Sequence, residues 1–236
     1  MKVIIAIQAR STSTRFPGKV FQKIDDKEVL QHVLDTAEES CIYINKYFPK
    51  NNVRVSSCLL VPFNDEIVKR YSHKCIIYQG DEHDVLSRYY SMNQEMKADY
   101  IVRITSDCPL LPSYLISKHI NIAVKGLYDY VSNVDEQIRT SPDGHDVEVV
   151  SARCLDWLNQ NAKDNEREHV TLRIRHGSIP KHFKIAHVIS YLDLSGIKIS
   201  FDTPEDFENI KNEYFRVKKC ISTAVDRYGQ KSIYRV

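Results

Sequence analysis

The chain has 236 residues, of which 42% are hydrophobic and 27% are charged. This composition excludes a disordered or fibrous protein and predicts one globular domain spanning residues 1–236. The 33 basic and 31 acidic residues leave a formal charge of only +2, which excludes a protein that coats nucleic acid and requires any anion site to be local.

The sequence contains no recognisable targeting or membrane signal. The apolar run after Met1 is shorter than the core of a secretory signal, and no run approaches the roughly 20 apolar residues of a membrane span. The six cysteines are widely spaced and form no Cys-x-x-Cys pair, so neither a zinc knuckle nor a redox pair is indicated. We expect a cytoplasmic protein with no membrane or nucleic-acid partner.

In the first half of the chain, predicted strands and helices alternate. Continuous apolar runs predict buried strands, and apolar residues at helical spacing predict amphipathic helices. The alternation predicts a Rossmann-like α/β fold with a mostly parallel, mixed central sheet, helices on both faces and ligands at the carboxyl ends of the strands. In chain order we predict strand 3–7, helix 28–40, strand 53–61, helix 64–71, strand 75–78, helix 82–96 and strand 100–104.

The second half is less regular. Its turn-rich part includes Ser-Pro-Asp-Gly at residues 141–144, a sequence typical of a tight turn. In chain order we predict helix 112–125, strand 128–134, an irregular excursion at 135–146, strand 147–150, helices 151–161 and 165–176, strands 182–190 and 198–201, and a closing helix at 204–225.

The loop after the first strand concentrates positive charge. It carries Arg10, Arg15 and Lys19 but neither a Walker sequence nor a Gly-x-Gly-x-x-Gly fingerprint. Cations and hydroxyl donors that follow a buried strand favour an anion, so we interpret the loop as a triphosphate site in which Pro17-Gly18 sets the turn that presents Lys19. The alternative is a solvated basic turn.

Two aspartates, Asp107 and Asp202, each follow a predicted strand. Carboxylates at strand ends are well placed to hold Mg²⁺, which takes a few carboxylates together with phosphate oxygens and waters. If both face one triphosphate, a divalent ion between them removes their repulsion. The alternative for Asp107 is a cap on the turn that begins near Pro109, and the residues after Asp202 read as a helix cap.

Six segments together resemble a known family. They are "QARSTSTRFPGKV", "GDEHDVLSRYY", "DYIVRITSDCPLL", "DGHDVEVVS", "EREHVTLRI" and "FDTPEDF". In this order they resemble the cytidylyltransferases that make CMP-activated sugars, most closely the spore coat polysaccharide branch named for SpsF. The CMP-sialic acid and CMP-ketodeoxyoctonate synthetases are relatives of that branch.

The resemblance implies a single nucleotidyltransferase domain that binds CTP with Mg²⁺ and forms a homodimer. Arg10, Arg15 and Lys19 would hold the triphosphate, and Asp107 and Asp202 would bind the metal. Three further residues would lie near the nucleotide: Gln8, Ala9 and Ser106, the last standing where many relatives have glycine.

The resemblance also implies an acceptor site formed by Asp146, Glu148, Arg167 and His169. Asp146 and Glu148 alternate along a predicted strand and share one face. A structural salt bridge from them to Arg167 or Arg139 is the competing account. His169 is either a base for the acceptor or a histidine held within a helix or a dimer contact.

These observations predict a Mg²⁺-dependent transfer of CMP from CTP to an acidic sugar-like acceptor, for polysaccharide biosynthesis, with loss of pyrophosphate. Lys19, Arg15, Asp107 and Asp202 would be catalytic because such transfers depend on positioning and charge neutralisation. The alternatives are a nucleotide-sugar-dependent glycosyltransferase, disfavoured because neither Asp107 nor Asp202 lies in an Asp-x-Asp sequence, and a catalytically silent CTP-binding subunit.

Overall fold

A computed structural model describes residues 1–47, 52–212, 214–216 and 233–235 of the protein. The strands are β1 Lys2–Gln8, β2 Lys23–Ile24, β3 Lys27–Glu28, β4 Arg54–Pro62, β5 Ile77–Gly80, β6 Tyr100–Thr105, β7 Tyr130–Ser132, β8 Glu148–Ser151, β9 Ile185–Ile189 and β10 Ile233–Arg235. The helices are α1 Val29–Tyr47, α2 Glu66–Tyr71, α3 Val85–Met96, α4 Ser113–Gly126, α5 Ala152–Asn161, α6 Asn165–Glu168 and α7 Leu172–Arg175. Lys19–Phe21 form a 3₁₀ turn, and residues 204–212 and 214–216 are helical.

Among the described residues, one sheet has the strand order β10-β9-β7-β8-β6-β1-β4-β5. The predicted α/β class is confirmed: β1, β4, β5 and β6 are mutually parallel, and β8 runs antiparallel between β6 and β7. The carboxyl ends of β1, β4, β6 and β7 therefore meet at one edge of the sheet. In α/β folds this edge is where ligands bind.

The central strand β1 is buried on both faces. Val3, Ile5 and Ile7 pack into the core beneath α1 and α4, whereas Ile4 and Ala6 pack beneath α3 and α5. Side chains alternate between faces along a strand, so an almost continuous apolar run is what a strand covered on both sides requires.

A third apolar cluster lies beside the carboxyl edge of the sheet. It joins the first loop to the C-terminal helix and contains Phe16, Ile24, Val29, Leu110, Ile199, Phe201, Phe207, Ile210 and Tyr214. Phe16, Phe201 and Phe207 make edge-to-face contacts with centroid separations of 5.5 to 6.3 Å. This cluster fixes residues on either side of position 201 against residues from the beginning of the chain.

Two predicted elements are wrong. The segment 198–201 forms no strand, because only Lys198 makes a bridge, with Asp143. The predicted helix 165–176 divides into α6 and α7 because Val170 adopts a left-handed conformation with φ of 56°, which is costly for a β-branched residue. The predicted helix 204–225 lies outside the described residues from 217 onward.

Candidate active site

The first loop folds back on itself before the 3₁₀ turn. Gly18 N donates to Ser11 O at 2.9 Å, and Lys19 N donates to Phe16 O at 3.1 Å. Gly18 has a φ of 68°, a left-handed conformation that glycine adopts without a side-chain clash. The turn expected at Pro17-Gly18 therefore exists, and it directs Lys19 inward.

The Lys19 ammonium lies between the two predicted metal ligands. Its Nζ donates to Asp107 Oδ2 at 2.8 Å, to Asp202 Oδ1 at 3.1 Å and to the Phe201 carbonyl oxygen at 3.1 Å. Lys19 is buried, with 9% of its surface exposed. The structure thus brings together residues from the first loop, the end of β6 and the segment before the C-terminal helix.

The charges of this trio stabilise one another. Burial lowers the pKa of Lys19, but the charges and hydrogen bonds of Asp107 and Asp202 outweigh that effect and raise it. Burial likewise raises the pKa of Asp107, and Lys19 outweighs it and holds this pKa below its usual value. Lys19 and Asp107 are therefore both charged at neutral pH, and the carboxyl group of Asp202 contacts the same ammonium.

Asp202 is positioned by the aromatic cluster and by a backbone contact. Phe201 N donates to Asp107 O at 3.3 Å, and the Phe201 ring is fully buried between Phe16 and Phe207. Because its neighbour is held on both sides, the Asp202 side chain faces the site.

Thr203 and Asp206, and not Asp202, cap the C-terminal helix. Asp206 Oδ2 accepts hydrogen bonds from the backbone N–H groups of Asp202 and Thr203 at 3.0 and 3.1 Å, and Thr203 Oγ1 accepts from Asp206 N. Burial raises the pKa of Asp206, but its bond to Lys198 and these backbone donors lower it to about 2. Since Thr203 and Asp206 together supply the cap, the Asp202 carboxylate is left for the site.

Asp107 and Asp202 fit a hard divalent cation. Both present oxygens to the position that the Lys19 ammonium occupies, and carboxylate oxygens are the ligands that Mg²⁺ prefers. The described residues contain no group of three His, Cys, Asp or Glu side chains that could hold a metal ion. Two carboxylates therefore suit an ion whose remaining ligands come from substrate phosphates and water.

The two arginines of the first loop lie at its outer surface. Arg15 Nη2 is 3.0 Å from Asp202 Oδ1, and 65% of the Arg15 side chain is exposed. Arg10 Nη1 is 4.0 Å from Glu82 Oε1, and 38% of the Arg10 side chain is exposed. Neighbouring loops hold this segment, because Ser11 N donates to Asp65 and Thr12 donates to Glu82. Both guanidinium groups can reach an anion that enters from solvent.

Gln8, Ala9 and Ser106 line the same edge at the ends of β1 and β6. Ser106 N donates to Gln8 O at 3.0 Å and Ala9 N donates to Leu60 O at 3.1 Å, so the backbone continues the sheet. Gln8 Oε1 is buried without a hydrogen-bond partner in the described structure. A buried acceptor without a partner is costly, so a hydrogen-bond donor at this edge would stabilise Gln8 Oε1.

Asp146 lies in the excursion that follows β7. Burial raises the pKa of Asp146 to about 6 and outweighs the hydrogen bond that Arg139 Nη2 donates to Asp146 Oδ1 at 2.6 Å. Gly144 anchors the excursion, since a Cβ there would lie 2.6 Å from Ser200 N. The ring of His145, the residue before Asp146, lies 3.2 Å from the Leu110 carbonyl oxygen, so this part of the excursion packs against the loop that carries Asp107.

The other predicted acceptor residues are not gathered together. Glu148 is 1% exposed and accepts a bond from Arg103 at 2.6 Å. Arg167 donates to Asp84 at 2.8 Å, and His169 is exposed at the end of α6. Of the two arginines considered from the sequence, Arg167 and Arg139, it is Arg139 that forms the salt bridge to Asp146. Arg103, the partner of Glu148, was not predicted. A lone arginine inside the apolar strand Tyr100–Thr105 was the available signal, because a buried guanidinium requires an acid.

Three comparisons with known proteins extend these observations. The family model described as cytidylyltransferase matches residues 4–235 of the chain. The chain is similar to the spore coat polysaccharide biosynthesis protein SpsF of Bacillus subtilis, with 26% identity over 219 residues that cover 90% of this chain and 86% of the relative.

Within the described residues, no helix has the length and hydropathy needed to cross a membrane.

Solved structures share the fold. A cytidylyltransferase from Leptospira borgpetersenii superposes with a TM-score of 0.78 at 25% identity, covering 100% of both chains. A CMP:2-keto-3-deoxy-manno-octonic acid synthetase complexed with CTP superposes with a TM-score of 0.65 at 14% identity, covering 92% of this chain and 99% of the other.

Proposed function

The chain belongs to the cytidylyltransferase family, and on that premise we propose that it transfers CMP from CTP to an acidic sugar or a related acceptor, with release of pyrophosphate. The observation that carries the proposal is the contact of one buried ammonium, Lys19, with two carboxylates at 2.8 and 3.1 Å. If a polyphosphate and a divalent cation bind at this cluster, the lysine can pair with phosphate and the two carboxylates can pair with the metal.

The cations of the first loop would hold the triphosphate. Lys19 would turn from the two aspartates to the phosphates when the metal binds, and Arg15 and Arg10, which are exposed, can close on the outer phosphates. As an acceptor oxygen attacks the α-phosphorus, the bond to the bridging oxygen breaks and negative charge accumulates on the departing pyrophosphate. Fixed cations at that position stabilise the transition state more than the ground state.

Asp107 and Asp202 would hold Mg²⁺. When bound, this ion would act as a Lewis acid that stabilises charge on phosphate oxygens. The protein's own part is to keep the Asp107 carboxylate ionised, which Lys19 does by lowering the pKa of Asp107.

Asp146 is the best-placed base for an acceptor hydroxyl. A pKa of about 6 lets it be ionised at neutral pH and still accept a proton readily. His169 is exposed at the end of α6, whereas Asp146 is half-buried beside Arg139, so we assign the proton transfer to Asp146.

Pyrophosphate release tests the proposal. Purified protein should release pyrophosphate from CTP and Mg²⁺ with at least one acid in a panel of sugar acids and phosphonates. Asp107→Asn should reduce the rate at least about 100-fold without loss of folding. Asp35→Asn is the matched control, since Asp35 pairs with the surface residue Lys27.

The outcomes separate the candidates. CTP binding without turnover on any acceptor would indicate a silent nucleotide-binding subunit, and absence of CTP binding would refute the nucleotide site. Full activity of Asp107→Asn would refute the metal assignment alone. The homodimer and the cytoplasmic location stay predictions.

A further inference from the structure

Asp65 lies between the first loop and α2 and is hydrogen-bonded to both. It follows β4, and only 6% of its surface is exposed. Its Oδ1 accepts from Ile67 N at 2.9 Å and so caps α2, whereas its Oδ2 accepts from Ser11 N at 2.9 Å. Each oxygen of this buried carboxylate therefore has its own backbone partner, one in the helix and one 54 positions earlier in the first loop.

The sheet fixes the position of Asp65. β4 pairs in parallel with β1, and Ala9 N donates to Leu60 O at 3.1 Å where β1 ends. Asp65 N donates to Pro62 O at 3.3 Å, and Asp65 O accepts from Val68 N at 3.1 Å. Because a strand holds its backbone on one side and a helix on the other, Asp65 is a rigid support for the segment that it binds.

Ser11 connects this support to the turn that precedes Lys19. The N–H group of Ser11 is bound by Asp65, and its carbonyl oxygen accepts from Gly18 N at 2.9 Å. The second bond closes residues 11–18 into a loop whose base is Ser11 and Gly18. A displacement of Ser11 therefore displaces the base of this loop, and with it the turn that presents Lys19.

Other contacts between the first loop and its neighbours are exposed to solvent. Thr12 Oγ1 donates to Glu82 at 2.6 Å in an exposed position. At the far end of the loop, the guanidinium carbon of Arg70 lies 4.1 Å from the centroid of the Phe21 ring, and 44% of the Arg70 side chain is exposed. Exposed polar contacts contribute little because water competes for them, so the buried bond from Asp65 has the larger effect on the loop backbone.

We propose that Asp65 is a positioning residue for CTP binding, because through Ser11 it holds the first loop in the conformation that presents its cations to the triphosphate. The inference rests on the proposed function, in which this loop is the triphosphate site. A preorganised loop binds a ligand more tightly because less ordering accompanies binding. Loss of the bond to Ser11 should therefore raise the KM for CTP more than it lowers kcat.

Asp65→Ser separates the two bonds of the carboxylate. Serine is a favourable N-cap, so the bond to Ile67 N can be retained, but its shorter side chain has a single oxygen and does not also reach Ser11 N. The Kd and the KM for CTP should each rise about 10-fold with kcat little changed. Asp65→Thr caps in the same way and refills part of the space, so it should show the same loss.

Hydrogen exchange in the nucleotide-free protein shows the cause directly. The amides of residues 9–20 should exchange faster in Asp65→Ser than in wild type, whereas those of α2 should keep their wild-type rates. Ser151→Ala is the matched control, because Ser151 caps α5 through Cys154 N at 3.2 Å and pairs with Tyr100 at the opposite end of β6 from Asp107. This control should lower the melting temperature without changing the Kd for CTP.

The outcomes separate this inference from the proposed function. If wild-type protein binds CTP and folded Asp65→Ser and Asp65→Thr bind it equally tightly, Asp65 does not position the loop, while the nucleotide site stands. Equal weakening by Ser151→Ala would also overturn the inference, because general loss of stability would then explain both results. If wild-type protein does not bind CTP, the proposed nucleotide site fails and the role of Asp65 fails with it. Thermal unfolding shows whether each variant is folded.

Discussion

Replacement of Lys19 by methionine should make the nucleotide-free protein bind Mg²⁺ more tightly, although it should abolish most activity. The ammonium contacts Asp107 and Asp202 at 2.8 and 3.1 Å, so a cation that binds both carboxylates must displace it. Removal of Lys19 leaves two facing carboxylates without that competitor. Methionine keeps the length and apolar character of the lysine stem, so the packing near Phe201 is retained.

The magnitude follows from the two contacts. A hydrogen bond to a charged group contributes about 1.5–3 kcal/mol, but the side chains of Asp107 and Asp202 are 24% and 28% exposed, so water screens part of this energy. We take about 2 kcal/mol for the displacement, equivalent to about 30-fold in Mg²⁺ affinity. In the presence of CTP the same variant should lose at least about 100-fold in turnover because the phosphates lose a fixed cation.

Calorimetric titration of Mg²⁺ into nucleotide-free protein measures the first effect, and pyrophosphate release measures the second. Lys23→Met serves as the control, since Lys23 is exposed on β2. Equal or weaker Mg²⁺ binding by Lys19→Met would show that the lysine and the metal do not share the same oxygens. That result would refute the reasoning even if activity were lost.

Three further predictions concern stability and pH. The pKa of Asp146 is raised to about 6 from 3.8, so its contribution to stability is present below pH 3.8 and is lost as pH rises through about 6. The free energy of unfolding of Asp146→Asn should therefore rise by up to about 3 kcal/mol relative to wild type between those limits. Urea unfolding at several pH values measures this, and a pH-independent difference would contradict it. Gly144→Ala should destabilise the fold by about 1–3 kcal/mol, measured by chemical unfolding, because its φ is 109° and the added Cβ would meet Ser200 N at 2.6 Å; a neutral effect would show that the excursion is not anchored there. Phe201→Leu should cost about 1–2 kcal/mol and weaken Mg²⁺-dependent CTP binding because Asp202 loses its support, and unaltered binding in calorimetry would show that the aromatic cluster does not position the aspartate.

The first half of the fold and the position of Asp107 at its ligand-binding edge were predictable for a physical reason, whereas Asp202 follows no strand and is brought to the site by the aromatic cluster. Parallel strands buried on both faces need near-continuous apolar runs, and their carboxyl ends must meet at one edge. Charged residues placed directly after such runs therefore come together, whatever their distance in the chain. The structure places Lys19 in contact with both aspartates.

The errors in the second half depend on tertiary contacts that local patterns do not encode. The segment 198–201 alternates like a strand, but it is held by Gly144 and by the aromatic cluster and not by a ladder. Val170 adopts a left-handed backbone conformation that a β-branched residue disfavours. Burial of Val170 and the hydrogen bond from Thr171 to Glu148 hold it there. The Arg103–Glu148 pair joins residues 45 positions apart, and an isolated arginine in a strand indicates only that some acid must lie nearby.

The distance along the chain between Lys19 and Asp202, 183 positions, has a consequence for how the protein matures. During synthesis, residues 1–107 can assemble most of the parallel sheet, but the buried lysine then has only one of its two acids. The second acid arrives with Phe201, whose ring is held by Phe16 and Phe207. Chains that stop before the C-terminal helix should therefore be released as sheet-containing but inactive species. Nucleotide binding should appear only after the segment that contains Phe201 and Asp202 has packed against the first loop.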